Sequence, residues 1–206
     1  MPGTIICYGD SNTFGYDPQE TVAGRYPNGT YWTSILDDRT DCDVLNRGEC
    51  GREIPHTDGQ VSFFLKQLES WRKLKAPVQL WIMLGTNDLI QIKRAAAEDV
   101  AARMETFLRT LLDTDAVRSG DISLTLISPP LFQYGTWVPK EWMYRESRRI
   151  DGVYRPLAEK LEIGFISAAS WDIPVVFDGV HLSEEGHRIF AEQIMKEAGL
   201  AKKTEG

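Results

Sequence analysis

Five short apolar runs alternate along this chain with segments of helical period, and the first four stop at a glycine, an asparagine or a serine-proline turn. The runs are Thr4–Tyr8, Asp43–Asn46, Val78–Leu84, Ile122–Ile127 and Gly164–Ser167. Runs of this length bounded by turn residues read as strands. Between them, Val61, Phe64, Leu65, Leu68 and Trp71 recur with the period of a helix over 60–74. Val100, Met104, Phe107, Leu108 and Leu111 do the same over 98–112. Further helices are expected over 31–36, over 146–161 with Pro156 as a potential kink, and over 183–198. Ser183 is a good N-cap for the last, although Gly186 replaces the Glu or Gln of a full capping box. The tail from Lys202 is expected to fray. Strands alternating with helices specify the α/β class, a parallel sheet covered on both faces. The 206 residues suit a single domain over 1–206, with an aromatic-rich loop insertion at about 131–144.

Charge and cysteine content narrow the partners. Thirty acidic residues stand against 23 basic ones, a net charge of −7, and such a surface repels nucleic-acid phosphates. No apolar run approaches the roughly 20 residues of a membrane span. The N-terminus leads straight into a strand, without a basic segment or a small-residue cleavage site, so a cytoplasmic location is expected. Cys7, Cys42 and Cys50 are odd in number and form no CxxC pair, which fits reduced thiols, with Cys7 a small core residue.

In parallel sheets ligands bind at the carboxyl ends of the strands, so the residues just after each strand are where chemistry is to be sought. Ser11 follows strand one in YGDSNTFGY, Gly51 follows strand two in NRGECGR, and Asn87 follows strand three in LGTNDL. Asp178 and His181 follow strand five in DGVHLS. A serine that attacks an ester needs a base, a carboxylate to orient it, and donors for the oxyanion. His181 can take the Ser11 proton, and Asp178 can hold the imidazole. The Gly51 N–H, the Asn87 amide and the Ser11 N–H can serve the oxyanion.

These four blocks resemble the SGNH hydrolases, also called the GDSL esterase/lipase family. The blocks are Gly9-Asp10-Ser11, Gly51, Gly85-Thr86-Asn87-Asp88 and Asp178-Gly179-Val180-His181, in the family's order and across residues 9–181. The resemblance implies a flavodoxin-like three-layer α/β/α fold with five parallel strands in the order 2-1-3-4-5. It also implies Ser11 as nucleophile, His181 as base, Asp178 as orienter, and Gly51 and Asn87 as oxyanion donors. YGDS, LGTND and SPP look most like the small bacterial arylesterase and acyltransferase branch, and this similarity implies an assembly of like chains. Asn12 departs from the leucine common after the serine, and Cys50 precedes the block-two glycine.

Each residue also has a plainer reading. Gly51 could be a tight-turn glycine and Asn87 a helix N-cap. Asp10 and Asp88 read as structural. His187 reads as a surface residue of the last helix, and His56 as a residue near the cleft rim without a role. Phe132, Tyr134, Trp137 and Trp142 divide between a substrate wall and a subunit interface.

Rival chemistries fit poorly. Gly9–Gly15 has five residues between its glycines and Tyr16 where a P-loop lysine belongs, and no GxGxxG occurs. HExxH is missing, and His181, Glu184 and His187 lack ligand spacing, so no metal and no cofactor are expected. The GxSxG elbow fails at Thr13. A binding module on the same fold would not need the full set of nucleophile, base and donors. The expected activity is hydrolysis of small-acyl carboxylic esters through an acyl-enzyme, with transfer to alcohols as a side activity. Lysophospholipase or thioesterase action and carbohydrate deacetylation are the alternatives.

Overall fold

The computed structural model describes residues 2–19 and 24–203. The elements run β1 (Thr4–Gly9), α1 (Ser11–Phe14), α2 (Trp32–Arg39), β2 (Asp43–Gly48), α3 (Asp58–Trp71), β3 (Val78–Met83) and α4 (Thr86–Gln91). They continue α5 (Ala97–Leu112), α6 (Asp115–Arg118), β4 (Ile122–Ile127), α7 (Glu141–Lys160), β5 (Gly164–Ile166) and α8 (Glu184–Glu197). The strands form one parallel sheet in the order β2-β1-β3-β4-β5, as expected. Gly9 lies level with Gly48 on one side and Met83 on the other, so three strands end together.

Side-chain alternation divides the core between the two faces of the sheet. Ile6, Tyr8, Leu80, Ile82, Leu124 and Leu126 point to one face, where Phe64 and Leu68 of α3, Met104 and Phe107 of α5, and Ile150 and Tyr154 of α7 pack. Ile5, Cys7, Trp81 and Met83 point to the other, against Trp32 and Leu36 of α2 and Phe190 and Ile194 of α8. Burial on both faces is why β1 and β3 read as unbroken apolar runs. Edge strand β2 has no fully buried residue, which accounts for its weaker pattern. Cys7, Cys42 and Cys50 are free thiols, and Cys7 is in the core.

Several boundaries differ from expectation. Helix α7 starts at Glu141, five residues early, and takes in Trp142 and Tyr144 from the stretch expected to be irregular. Pro139 bars a helix from reaching further back, and polar Glu146 and Ser147, both buried, interrupt the apolar period that would have revealed the first turn. The helix continues through Pro156. Helix α3 starts at Asp58 behind a Thr57–Gln60 capping box. Helices α1, α4 and α6 are too short to show a period. Ser183 caps α8 through the Gly186 N–H at 3.0 Å. Glycine is needed there, because a Cβ would lie 2.1 Å from the Pro174 carbonyl oxygen. In the tail, Lys202 bridges Thr40 and the Lys203 N–H donates to the Arg39 carbonyl, while 204–206 lie outside the described residues.

The surface reading of His187 is corrected. With Phe190, Ala191 and Ile194 it occupies the inner face of α8 and is fully buried. Its Nδ1 accepts the Trp32 N–H at 3.4 Å, and its ring meets Tyr26 edge-on at 5.3 Å. Burial, with a smaller contribution from nearby His181, pushes this imidazole down to about 3. Between pH 6.5 and 3 the unfolded chain therefore binds a proton that the native one refuses, and stability falls as pH falls. This group contributes a slope of about 1.4 kcal/mol per pH unit. His187→Gln keeps an acceptor for Trp32 and removes the titration. Urea unfolding from pH 6 to 4 should show the wild type losing stability faster than the variant by about that slope. Parallel curves would contradict the assignment.

Candidate active site

The Ser11 segment begins where β1 stops. Asp10 is the N-cap of α1, and its Oδ1 accepts the Asn12 N–H at 2.9 Å. Ser11 is thereby the first helical residue, at the mouth of the sheet. Asp10 is structural, as expected. Burial pushes its carboxyl up to about 6, and the Asn12 N–H only partly offsets this.

Ser11, His181 and Asp178 form one hydrogen-bonded row. Ser11 Oγ lies 2.9 Å from His181 Nε2, and His181 Nδ1 lies 2.6 Å from Asp178 Oδ2. All three residues are buried. Asp178 Oδ1 accepts the N–H groups of Val180 at 2.8 Å and His181 at 3.0 Å. Burial alone would raise the Asp178 carboxyl. Hydrogen bonds from the His181 ring and from these two N–H groups outweigh it and hold the carboxyl below its ordinary value. A charged Asp178 fixes the imidazole with Nδ1 protonated and Nε2 free to accept from Ser11.

Gly51 and Asn87 stand on two loops that brace each other. Gly51 has φ +77° in the turn closed by the Arg52 N–H on the Glu49 carbonyl. Asn87 is the second residue of α4, whose N-cap is Gly85, so the N-cap reading of Asn87 is corrected. Its Nδ2 donates to the Arg52 carbonyl at 3.0 Å, and Gln91 Nε2 donates to the Gly51 carbonyl at 3.2 Å. Asp88 is structural: it accepts the Ile54 N–H at 3.1 Å and Arg103 at 2.8 Å. His56 turns its Nδ1 to the Ile54 carbonyl at 2.9 Å, a contact within its own loop.

The aromatic candidates separate. Trp137 is half exposed and meets the His181 ring edge-on at 4.9 Å. Tyr134 is exposed and stacks on Tyr144 at 4.7 Å. Phe132 is a core residue, its N–H tied to Ser147 Oγ, and so it does not line the site. Trp142 packs against the core from the first turn of α7, beside Arg94, Ala95 and Ala96 rather than beside the row. Both were misplaced because the apolar content of 131–144 carries no period to separate inward from outward rings. Tyr16 was missed: its ring lies 4.8 Å from His181. Its place just past the left-handed Gly15 that ends α1 was the available signal.

The segment 133–137 lies directly on the Asp178 turn. N–H groups of Gln133, Thr136 and Trp137 donate to the carbonyls of Gly179, Phe177 and Asp178. At Gly135 a Cβ would fall 2.2 Å from the Asp178 carbonyl carbon, and at Gly179, with φ +84°, 2.2 Å from the Gln133 carbonyl oxygen. Among the described residues no group of three or more His, Cys, Asp or Glu side chains is arranged to hold a metal ion.

Residues 7–189 match the model of the GDSL-like lipase/acylhydrolase family. The chain belongs to this family. As a GDSL-like acylhydrolase it is a serine esterase acting on carboxylic esters. Its fold is shared with the native aryl esterase of M. smegmatis, at 24% identity and a TM-score of 0.79, covering 95% of this chain and 98% of that one. A carbohydrate acetylesterase family member from Sinorhizobium meliloti is 26% identical, with a TM-score of 0.78 and coverage of 96% and 97%. Est24, a carbohydrate acetylesterase from the same organism, is 23% identical, with a TM-score of 0.76 and coverage of 95% and 98%. Among curated proteins no sequence matches this chain. No helix among the described residues is long and apolar enough to cross a membrane.

The close approach at Gly135 carries a stability consequence. Gly135→Ala should destabilise the protein by about 1–3 kcal/mol, because backbone must shift. Gly152→Ala, in α7 with open space around its added Cβ, should stabilise by about 0.5–1 kcal/mol. Urea titration of the two variants checks this, and equal effects would contradict it.

Proposed function

We propose that Ser11 is the nucleophile of this esterase, His181 its general base and acid, and Asp178 the orienting carboxylate. The carrying observation is the unbroken buried row of 2.9 Å and 2.6 Å contacts. Ser11 Oγ attacks the ester carbonyl while its proton passes to His181 Nε2. The oxyanion takes N–H groups of Ser11, Gly51 and Asn87. His181 then returns the proton to the departing alkoxide, leaving an acyl-enzyme on Ser11. Water repeats the sequence, giving up a proton to His181 and releasing the acid.

The acyl group is small on this reading. Tyr16 and Trp137 both abut His181, and two bulky rings beside the base favour a short acyl chain. Hydrolysis is favoured over transfer, because Tyr134 stands in solvent and Trp137 stays half exposed, so water reaches the site. Acetylated carbohydrate is the second reading, supported by the name of the 26% identical fold relative. We also read the chain as a single cytoplasmic domain that assembles with its own copies. Its free thiols support the location, and the exposed rings of Tyr134, Trp137 and Phe177 support the assembly.

Ser11→Ala should abolish ester hydrolysis and labelling by a covalent serine probe, with little change in melting temperature. Wild-type turnover in that variant would refute the mechanism. Asn87→Ala should lower kcat by about 10²–10³-fold with KM little changed; a rise in KM alone would make Asn87 a binding residue instead.

Across p-nitrophenyl esters, acetyl and butyryl should be preferred over octanoyl, and Trp137→Ala should move the preference toward longer chains. A wild type most active on palmitoyl esters would overturn the small-acyl reading.

A further inference from the structure

Asn12, next to the nucleophile, has every polar group engaged. It is buried, and its N–H is held by the Asp10 cap. Its carbonyl accepts the Trp32 indole N–H at 3.0 Å. Its side chain reaches across to the last loop of the site. There Oδ1 accepts the Leu182 N–H at 2.9 Å, and Nδ2 donates to the Val180 carbonyl at 3.1 Å. Val180 and Leu182 are the two neighbours of His181.

We infer that Asn12 is a positioning residue that sets the distance between Ser11 Oγ and His181 Nε2 by stapling the backbone on both sides of His181 to the first turn of α1. The inference rests on the reading of Ser11 and His181 as nucleophile and base. Asp178 and the segment 133–137 hold the His181 turn from its own side of the cleft. The Asn12 amide ties that turn to the serine's element. The task needs a short side chain that donates and accepts at once. Leucine has the same shape and does neither, leaving a buried N–H and a buried carbonyl without partners. Aspartate accepts from Leu182 but can donate to Val180 only when protonated.

The test compares Asn12→Leu, Asn12→Asp and Ser11→Ala on p-nitrophenyl acetate, with the folded fraction of each measured by circular dichroism. Asn12→Leu should lose about 10- to 100-fold in kcat, the scale of a reacting pair displaced by about 1 Å, with KM within about twofold. The kcat of Asn12→Asp relative to wild type at the same pH should rise as pH is lowered, while that of Asn12→Leu stays flat. A role confined to folding would lower activity only in proportion to the folded fraction, with the same ratio at every pH, and would overturn the inference. Wild-type kcat in folded Asn12→Leu would overturn it too. If Asn12→Leu does not fold, Asn12→Asp decides alone: a pH-independent ratio refutes the staple. An active Ser11→Ala would remove the underlying mechanism instead, whereas an inactive Ser11→Ala beside a fully active Asn12→Leu removes only the staple.

Discussion

A parallel sheet delivers the carboxyl ends of all its strands to one edge, and here β1 lies between β2 and β3 with its last residue level with theirs. Loops distant in sequence must therefore meet above β1. The constraint explains why Asn87 can donate to the Arg52 carbonyl, and why Asp88 can hold the Ile54 N–H. Ser11 meets a histidine 170 residues further along the chain because the segment after edge strand β5 leads back across the strand ends toward β1. None of these contacts follows from local propensity; the first two follow from strand order and the third from the return of the chain after β5.

The site sorts its two buried carboxylates by their partners. Asp10 and Asp178 are both nearly inaccessible to water. Asp178 receives donors at both oxygens and keeps its charge. Burial pushes the Asp10 carboxyl up to about 6, offset only in part by the Asn12 N–H at Oδ1, and its Oδ2 has no close partner among the described residues. Burial weighs more heavily on Asp10, which lies deeper, and Asp178 has more donors, so Asp178 is the dependable anion.

Much of this was legible in the chain itself. Strands β1, β3 and β4 announced themselves because both-sided burial demands runs of apolar residues, and Ser11 and Asn87 stand just past the first two of them. What stayed hidden was whatever depends on a partner far away in sequence. His187 looks like a helix-surface residue until α8 is laid against Trp32. Phe132 and Trp137 are equally aromatic and five residues apart, yet one joins the core and the other touches His181. Their fates are set by Ser147 and Asp178, which hold the backbone on either side. Asn87 was legible as a candidate from its place after β3, but not as the second residue of a helix capped by a glycine.

The segment 133–137 grips the Asp178 turn through main-chain groups alone, while the Tyr134 ring is exposed and the Trp137 ring lies half exposed against His181. Scaffold and decoration are thus separable within five residues. The amide spine and Gly135 cannot vary without moving Asp178, but the two rings contribute no hydrogen bond to holding it. For redesign or natural drift, the rings are an interchangeable fitting on a fixed mount, open to exchange while the main-chain hold on Asp178 is left alone.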